Sequence, residues 1–221
     1  FEGVLMDLSI SSFQLMEARK GFSFRLDAPM DMRMDSRIGQ SAADYLETAS
    51  RESLIRAVRE YGEERRWNRV VNAIIEARGT GKLQRTLSAA ELVSDAVGGH
   101  RSRQRIHPAT KTFQGVRIAI NGELESLAVT LPKAFRSLKI GGVLLVISFH
   151  SLEDRIVKRF MRKMSGRPTD RNDSSFVQDR VSLAEMIQAK AIFPTKSEVD
   201  ENPRSRSARL RVLRKLANQE L

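Results

Sequence analysis

The chain has 221 residues, 41% of them hydrophobic, which is enough for a real core in one large domain or in a domain with a smaller companion. It contains no cysteine and only His100, His107 and His150, so disulfides, thiolate metal sites and cysteine nucleophiles are excluded and no metal site is expected. Lys+Arg 38 against Asp+Glu 27 leaves +11, a balance that favours a polyanionic partner; no apolar run approaches the ~20 residues that span a bilayer, and the opening segment carries Glu2 and Asp7 without a basic flank, so a cytoplasmic protein with no membrane partner is expected.

The chain begins with Phe1 rather than Met and enters an apolar run at once, which reads as an N-terminally truncated protein. Gly3-Val4-Leu5-Met6-Asp7-Leu8-Ser9-Ile10 is apolar and ends in an acid and small polar residues. That pattern predicts a buried parallel strand with a functional carboxyl end. Gly21-Phe22-Ser23-Phe24-Arg25 and Asp31-Met32-Arg33-Met34-Asp35 have neither period and read as ordered loop, with the alternating Met30, Met32 and Met34 lining it or a small core.

Residues 41–78 read as helical. Ser41 caps the first helix, Leu54, Ile55, Val58 and Tyr61 share one face, and Val70, Val71, Ile74 and Ile75 share another. Gly79-Thr80-Gly81 breaks the pattern, Ser88 and Glu91 have the spacing of a capping box, and Gly98-Gly99 closes the helix they open. Arg101, Arg103 and Arg105 form a basic loop. One long helix is predicted over 109–131, with Pro132 as its end or a kink. Gly141-Gly142 turns into a second buried strand, Val143-Leu144-Leu145-Val146-Ile147-Ser148-Phe149. Ser151, with Asp154, caps a helix that buries Leu152, Ile156, Phe160 and Met164 and exposes Arg155, Lys158, Arg159, Arg162 and Lys163. Two closing strands are predicted at 189–193 and 208–213. The simplest architecture is an open α/β sheet with an all-helical insertion. Ligands of such sheets sit at the carboxyl ends of the strands. That places Asp7 to Ser12 and Ser148 to Ser151 on one rim.

Asp7-Leu8-Ser9-Ile10-Ser11-Ser12-Phe13-Gln14-Leu15 resembles a segment of the bacterial ribosomal RNA small-subunit methyltransferase H family. The resemblance continues in order through Arg19-Lys20-Gly21-Phe22-Ser23-Phe24, Pro29-Met30-Asp31-Met32-Arg33-Met34-Asp35, Tyr61-Gly62-Glu63-Glu64-Arg65 and His107-Pro108-Ala109-Thr110-Lys111-Thr112-Phe113-Gln114. It ends with Ser148-Phe149-His150-Ser151-Leu152-Glu153-Asp154-Arg155 and Asn202-Pro203-Arg204-Ser205-Arg206-Ser207. It implies a class I, Rossmann-like methyltransferase sheet, incomplete at its N-terminus, formed by residues 1–17 and 113–221, with a helical substrate-recognition insertion at 18–112. It implies S-adenosyl-L-methionine as cofactor, with Asp7 and Gln14 in contact with it. It also implies a Gly-rich cofactor loop upstream of Phe1, without which the fragment is inactive. The implied reaction is methylation of the N4 amine of a cytidine in the decoding region of 16S ribosomal RNA, with the small ribosomal subunit as partner. Homodimerisation is left open. Ser9 stands where the family usually has Gly, and Phe13 where Pro is common; Ser9 would crowd a close backbone approach.

The N4 amine is a poor nucleophile, because its lone pair is delocalised into the ring. A catalyst must align it with the methyl donor and accept its hydrogen bonds. Direct displacement needs no covalent intermediate, which suits a chain without cysteine. Asp7, Ser12 and His150 are the catalytic candidates; their bland readings are a solvated strand-end acid, turn chemistry and a structural imidazole. Phe149 could stack on a flipped base, although core packing is its commoner fate. His107 is expected to be structural or to meet phosphate. Arg101, Arg103, Arg105, Arg155, Lys158, Arg159, Arg204 and Arg206, with Arg209 and Arg211, are expected to meet RNA phosphate rather than only solvent. Two other readings stay open: a non-catalytic RNA-binding or ribosome-assembly factor on this scaffold, and a class I methyltransferase with another acceptor such as DNA.

Overall fold

The computed structural model describes residues 1–98, 107–170, 172–174 and 180–218. In chain order its elements are β1 (Gly3–Asp7), α1 (Ser12–Met16), α2 (Ala42–Thr48), α3 (Arg51–Ile55), α4 (Trp67–Glu76), α5 (Thr86–Ala96), α6 (Ala109–Asn121), α7 (Glu123–Ser137), β2 (Val143–Ser148), α8 (Ser151–Met164), β3 (Ala184–Met186), α9 (Lys196–Glu201) and β4 (Arg209–Lys215). They fall into two compact units, Phe1–Ser9 with Leu124–Leu221, and Ile10–Glu123.

The first unit is an α/β layer built on a four-stranded mixed sheet of order β1-β2-β4-β3. β1 runs parallel to β2, whereas β4 is antiparallel to both β2 and β3. Strand alternation turns Val4 and Met6 toward the core and leaves Leu5 exposed. Leu144 and Val146 of β2 and Leu213 of β4 pack in the same core as Leu127, Leu131 and Phe135 of α7 and Val157 and Met161 of α8. Each such side chain contributes roughly 1.5–3 kcal/mol of burial. Lys215 is buried at the end of β4, where its Nζ donates to the carbonyls of Arg136 (3.2 Å) and Leu138 (2.7 Å), satisfying carbonyls at the end of α7.

The second unit is helical. Its core joins Met30 and Met32 to Leu46, Leu54, Val58, Val70, Ile74, Leu83, Phe113 and Val116, so the alternating methionines are core, as expected. Ser41 caps α2 through a reciprocal capping box with Asp44. α3 runs on into a π-helical turn over Arg56–Tyr61, closed by Gly62 N–H on the Ala57 carbonyl at 2.9 Å. There α6 crosses at very short range. A Cβ on Gly115 would overlap the Ala57 carbonyl oxygen, and one on Gly62 would lie 2.6 Å from that of Lys111. The loop before α2 is pinned by Asn121, whose amide accepts from Met34 N and donates to Met32 O, both at 2.8 Å.

Four sequence expectations are corrected. The single helix over 109–131 is two: Gly122 takes a left-handed φ of 58° and ends α6, and Pro132 lies inside α7. Leu127, Leu131 and Phe135 are buried on both sides of Pro132, and that packing outweighs the lost backbone bond. Ser88 does not open its helix. Thr86 does, with its hydroxyl accepting from Ala28 N (3.0 Å) and donating to Leu26 O (2.9 Å), while Ser88 bonds back to the Lys82 and Arg85 carbonyls. The strand expected at 189–193 contributes a single bridge, Ile192 to Leu210; β3 lies earlier, at Ala184–Met186. The helix after β2 is capped by His150, not Ser151. In the helical unit, Ile10–Glu123, α6 inserts Phe113 and Val116 into the core.

Candidate active site

β1 and β2 end side by side. Asp7 pairs in register with Ile147, and Leu8 N–H donates to the Ile147 carbonyl at 3.0 Å. One strand therefore delivers Asp7 and the other delivers Ser148, Phe149 and His150 to the same carboxyl edge of the sheet, where open α/β sheets bind ligands. The Asp7 side chain makes no hydrogen bond or ion pair among the described residues, and the residue is exposed. Just beyond it Ser9 has φ 69°, the left-handed region that favours glycine.

The β2 edge is tightly organised. Glu153 Oε2 accepts from Phe149 N (2.9 Å) and His150 N (3.4 Å), and His150 Nδ1 accepts from Glu153 N (3.4 Å). This is a capping box in which imidazole replaces the usual hydroxyl or carboxamide. Glu153 is 3% exposed. Its Oε1 lies 3.3 Å from His150 Nε2 without the alignment of a hydrogen bond, and Nε2 is buried with no hydrogen-bond partner among the described residues. Phe149 is half-buried and lies outside the set of side chains packed on the sheet core.

One residue further along α8, Asp154 takes a bidentate pair from Arg211 (Nε 2.6 Å, a second nitrogen 3.1 Å) and a third bond from Arg209 at 3.3 Å. Burial alone would raise the Asp154 carboxyl, but the bonds and charge of Arg211, with those of Arg209, hold it below the usual carboxylate range. Arg211 is thus committed inside the fold, which corrects its assignment to RNA phosphate, whereas Arg209 pairs with Asp154 and stays about one-third exposed. Sequence reading gave Glu153 no role and gave Asp154 the capping role that Glu153 fills. The His-x-x-Glu spacing from His150 to Glu153 was the available signal, obscured because histidine is an uncommon cap.

The remaining candidates are spread more widely. Arg155, Lys158 and Arg159 project from α8 and, with Arg162, Thr169, Asp170 and Asp173, line a recess of about 580 Å³. Arg159 pairs with Asp170 at 3.0 Å. Arg204 and Arg206 are exposed on the 3-10 turn Pro203–Ser207. Arg101, Arg103 and Arg105, and His100, lie outside the described residues. His107 Nδ1 accepts from Ala109 N at 3.2 Å and its ring meets Phe24 at 4.6 Å between centroids, so it caps and packs at the start of α6. In the helical unit Ser11 caps α1, and its own N–H donates to Gln14 Oε1 at 2.9 Å. That leaves the Gln14 amide NH2 as the group available to a ligand. Ser12 is exposed at the first turn of α1. A second basic recess, of about 360 Å³ and lined by Arg65, Arg66, Asn68 and Arg69, was not anticipated.

The MraW methylase family model matches residues 1–216. The ribosomal RNA small subunit methyltransferases H of Nitrosomonas eutropha and Nitrosomonas europaea are each 48% identical over 223 residues, covering 97% of this chain and 69% of the relative. That of Nitrosococcus oceani is 47% identical over 214 residues, covering 96% of this chain and 67% of its own length.

Proposed function

Because this chain belongs to the MraW methylase family, a family of methyltransferases with a Rossmann-like fold, we propose that it acts in S-adenosyl-L-methionine-dependent methylation of a cytidine N4 amine in the decoding region of 16S ribosomal RNA. The observation that carries this reading is the adjacent ending of β1 and β2, which delivers Asp7 and the Phe149-His150 pair to one edge. The printed name of the relatives supports ribosomal RNA as substrate.

The residues present fit the cofactor. Asp7 offers a carboxylate with no competing partner among the described residues, and Gln14 offers an amide NH2. When bound, the cofactor supplies an electrophilic methyl group on a sulfonium. Asp7 accepts N–H donors and takes the proton that the amine sheds. Ser12 is the second acceptor, and Gln14 orients the cofactor through its free NH2. Phe149 gives the base an aromatic surface. The helical unit recognises the substrate, and Arg155, Lys158, Arg159, Arg204 and Arg206, together with Arg101, Arg103 and Arg105, bind its phosphates.

The test is Asp7→Ala in the full-length protein, assayed by nucleoside mass spectrometry on 16S ribosomal RNA that lacks the modification. Wild type should produce N4-methylcytidine, and the variant should be slower by about a hundredfold or more with its thermal unfolding unchanged. Wild-type turnover by the variant would remove Asp7 from the site, and a methyl group on another atom would refute the acceptor.

A further inference from the structure

We propose that His150 is a hydrogen-bond donor, not a base, and that its Nε2–H recognises an uncharged carbonyl acceptor on the ligand, the ring carbonyl of a pyrimidine. The inference rests on the strand-end edge being the active site.

The tautomer follows from the cap. His150 Nδ1 accepts the Glu153 backbone N–H, so its lone pair is occupied and the proton of the neutral ring sits on Nε2. This removes Nε2 as a proton acceptor and leaves it as a donor. The Nε2 atom is nevertheless buried, on a side chain 9% exposed, and it has no hydrogen bond among the described residues. An unmet buried donor costs about 1–3 kcal/mol, so a native fold keeps one where something else completes it. Glu153 does not. Its Oε2 is taken by two backbone N–H groups, and Oε1 stands 3.3 Å from Nε2 out of line.

Charge decides the kind of acceptor. The N-terminus of α8 would ordinarily draw an anion, but Glu153 and Asp154 occupy its first turn. A phosphate or carboxylate at Nε2 would face the Glu153 carboxylate directly. A neutral carbonyl oxygen, with only a partial charge, meets much less repulsion there. Cytosine presents a ring carbonyl as well as its amine, and the carboxylate of Asp7 can serve only the amine. A fixed N–H donor on the neighbouring strand end supplies the complementary half of the recognition.

His150→Ser and His150→Ala in the full-length protein separate this role from helix capping. Serine restores a cap oxygen but cannot reach the position of Nε2. Alanine should lower Tm by a few degrees and serine should recover it. Both should lose about tenfold or more in kcat/KM on unmodified ribosomal RNA. Recovery of both stability and turnover by serine would make His150 a cap alone and overturn the proposal. Nitrogen NMR of histidine-labelled wild type gives the second readout. It should find the Nε2–H tautomer in the free protein, and cytidine should shift that resonance. An Nδ1–H tautomer, or no shift with cytidine while ribosomal RNA is still methylated, overturns the donor role and spares the proposed reaction. A cytidine-dependent shift without any methylation keeps the donor role and overturns the reaction. Absence of both overturns the two together.

Discussion

Asp154 holds α8 to β4 through Arg211, which is itself 8% exposed. Replacing it with Asn would leave a buried guanidinium without its counter-charge, so Asp154→Asn should cost about 3 kcal/mol or more at neutral pH by urea unfolding. Its folded pKa is lowered from the ordinary 3.8. The stabilisation is therefore complete above that ordinary value and is lost as pH falls through the depressed one. Wild type and variant should converge only in strongly acidic solution. Ser9 gives the opposite case. At φ 69° it carries the strain of a left-handed β-carbon, and Ser9→Gly should raise unfolding free energy by about 1 kcal/mol, offset partly by the entropy of glycine. A drop in stability would mean that the serine hydroxyl contributes more than the strain costs. The sequence signals only one of the two: Ser9 stands where the family usually has Gly, which fits its left-handed φ, whereas Arg211 is one of several arginines in a basic stretch.

The crossing of α6 over the π-helical turn is set by glycine. Helix propensity alone favours Ala over Gly by about 1 kcal/mol at position 115. The absent β-carbon reverses that, since it would overlap the Ala57 carbonyl and lie 2.7 Å from Gly62 N. Gly115→Ala should destabilise by about 3 kcal/mol or more, read from the denaturant midpoint. At Gly122 a β-carbon meets nothing within 4 Å and only the positive φ matters, so Gly122→Ala should cost about 1 kcal/mol. The apolar spacing of α4, α6, α7 and α8 was legible because it follows 3.6-residue periodicity. Their ends were not: α5 starts at Thr86 without a side-chain cap, the cap at His150 depends on which side chain reaches which backbone N–H, and Asn121-Gly122 interrupts an apolar pattern that runs on past it.

At the scale of the whole molecule the +11 charge is the relevant quantity. RNA affinity should fall steeply between 50 and 200 mM salt. Changing Lys158 and Arg159 to Gln together should flatten the dependence of log K on log salt by about 1.4–1.8, at roughly 0.7–0.9 per phosphate contact. Fluorescence anisotropy with a ribosomal RNA fragment measures it, and an unchanged slope would return the α8 face to passive solvation. The same experiment with Arg65 and Arg69 changed would weigh the second recess against the first.

The sequence by itself determined the α/β class, the strand ends that carry Asp7 and His150, the helical character of the middle of the chain and the family. All of these reside in local periodicity or in contiguous motifs. Tertiary structure alone decided that β1 and β2 are parallel neighbours, that Asp154 takes up Arg209 and Arg211, and that His150 spends Nδ1 on a cap. The reason is physical: pairing of strands and of charges joins groups far apart in the chain, as residues 154 and 211 are, and their mutual distance is a property of packing that no local pattern encodes.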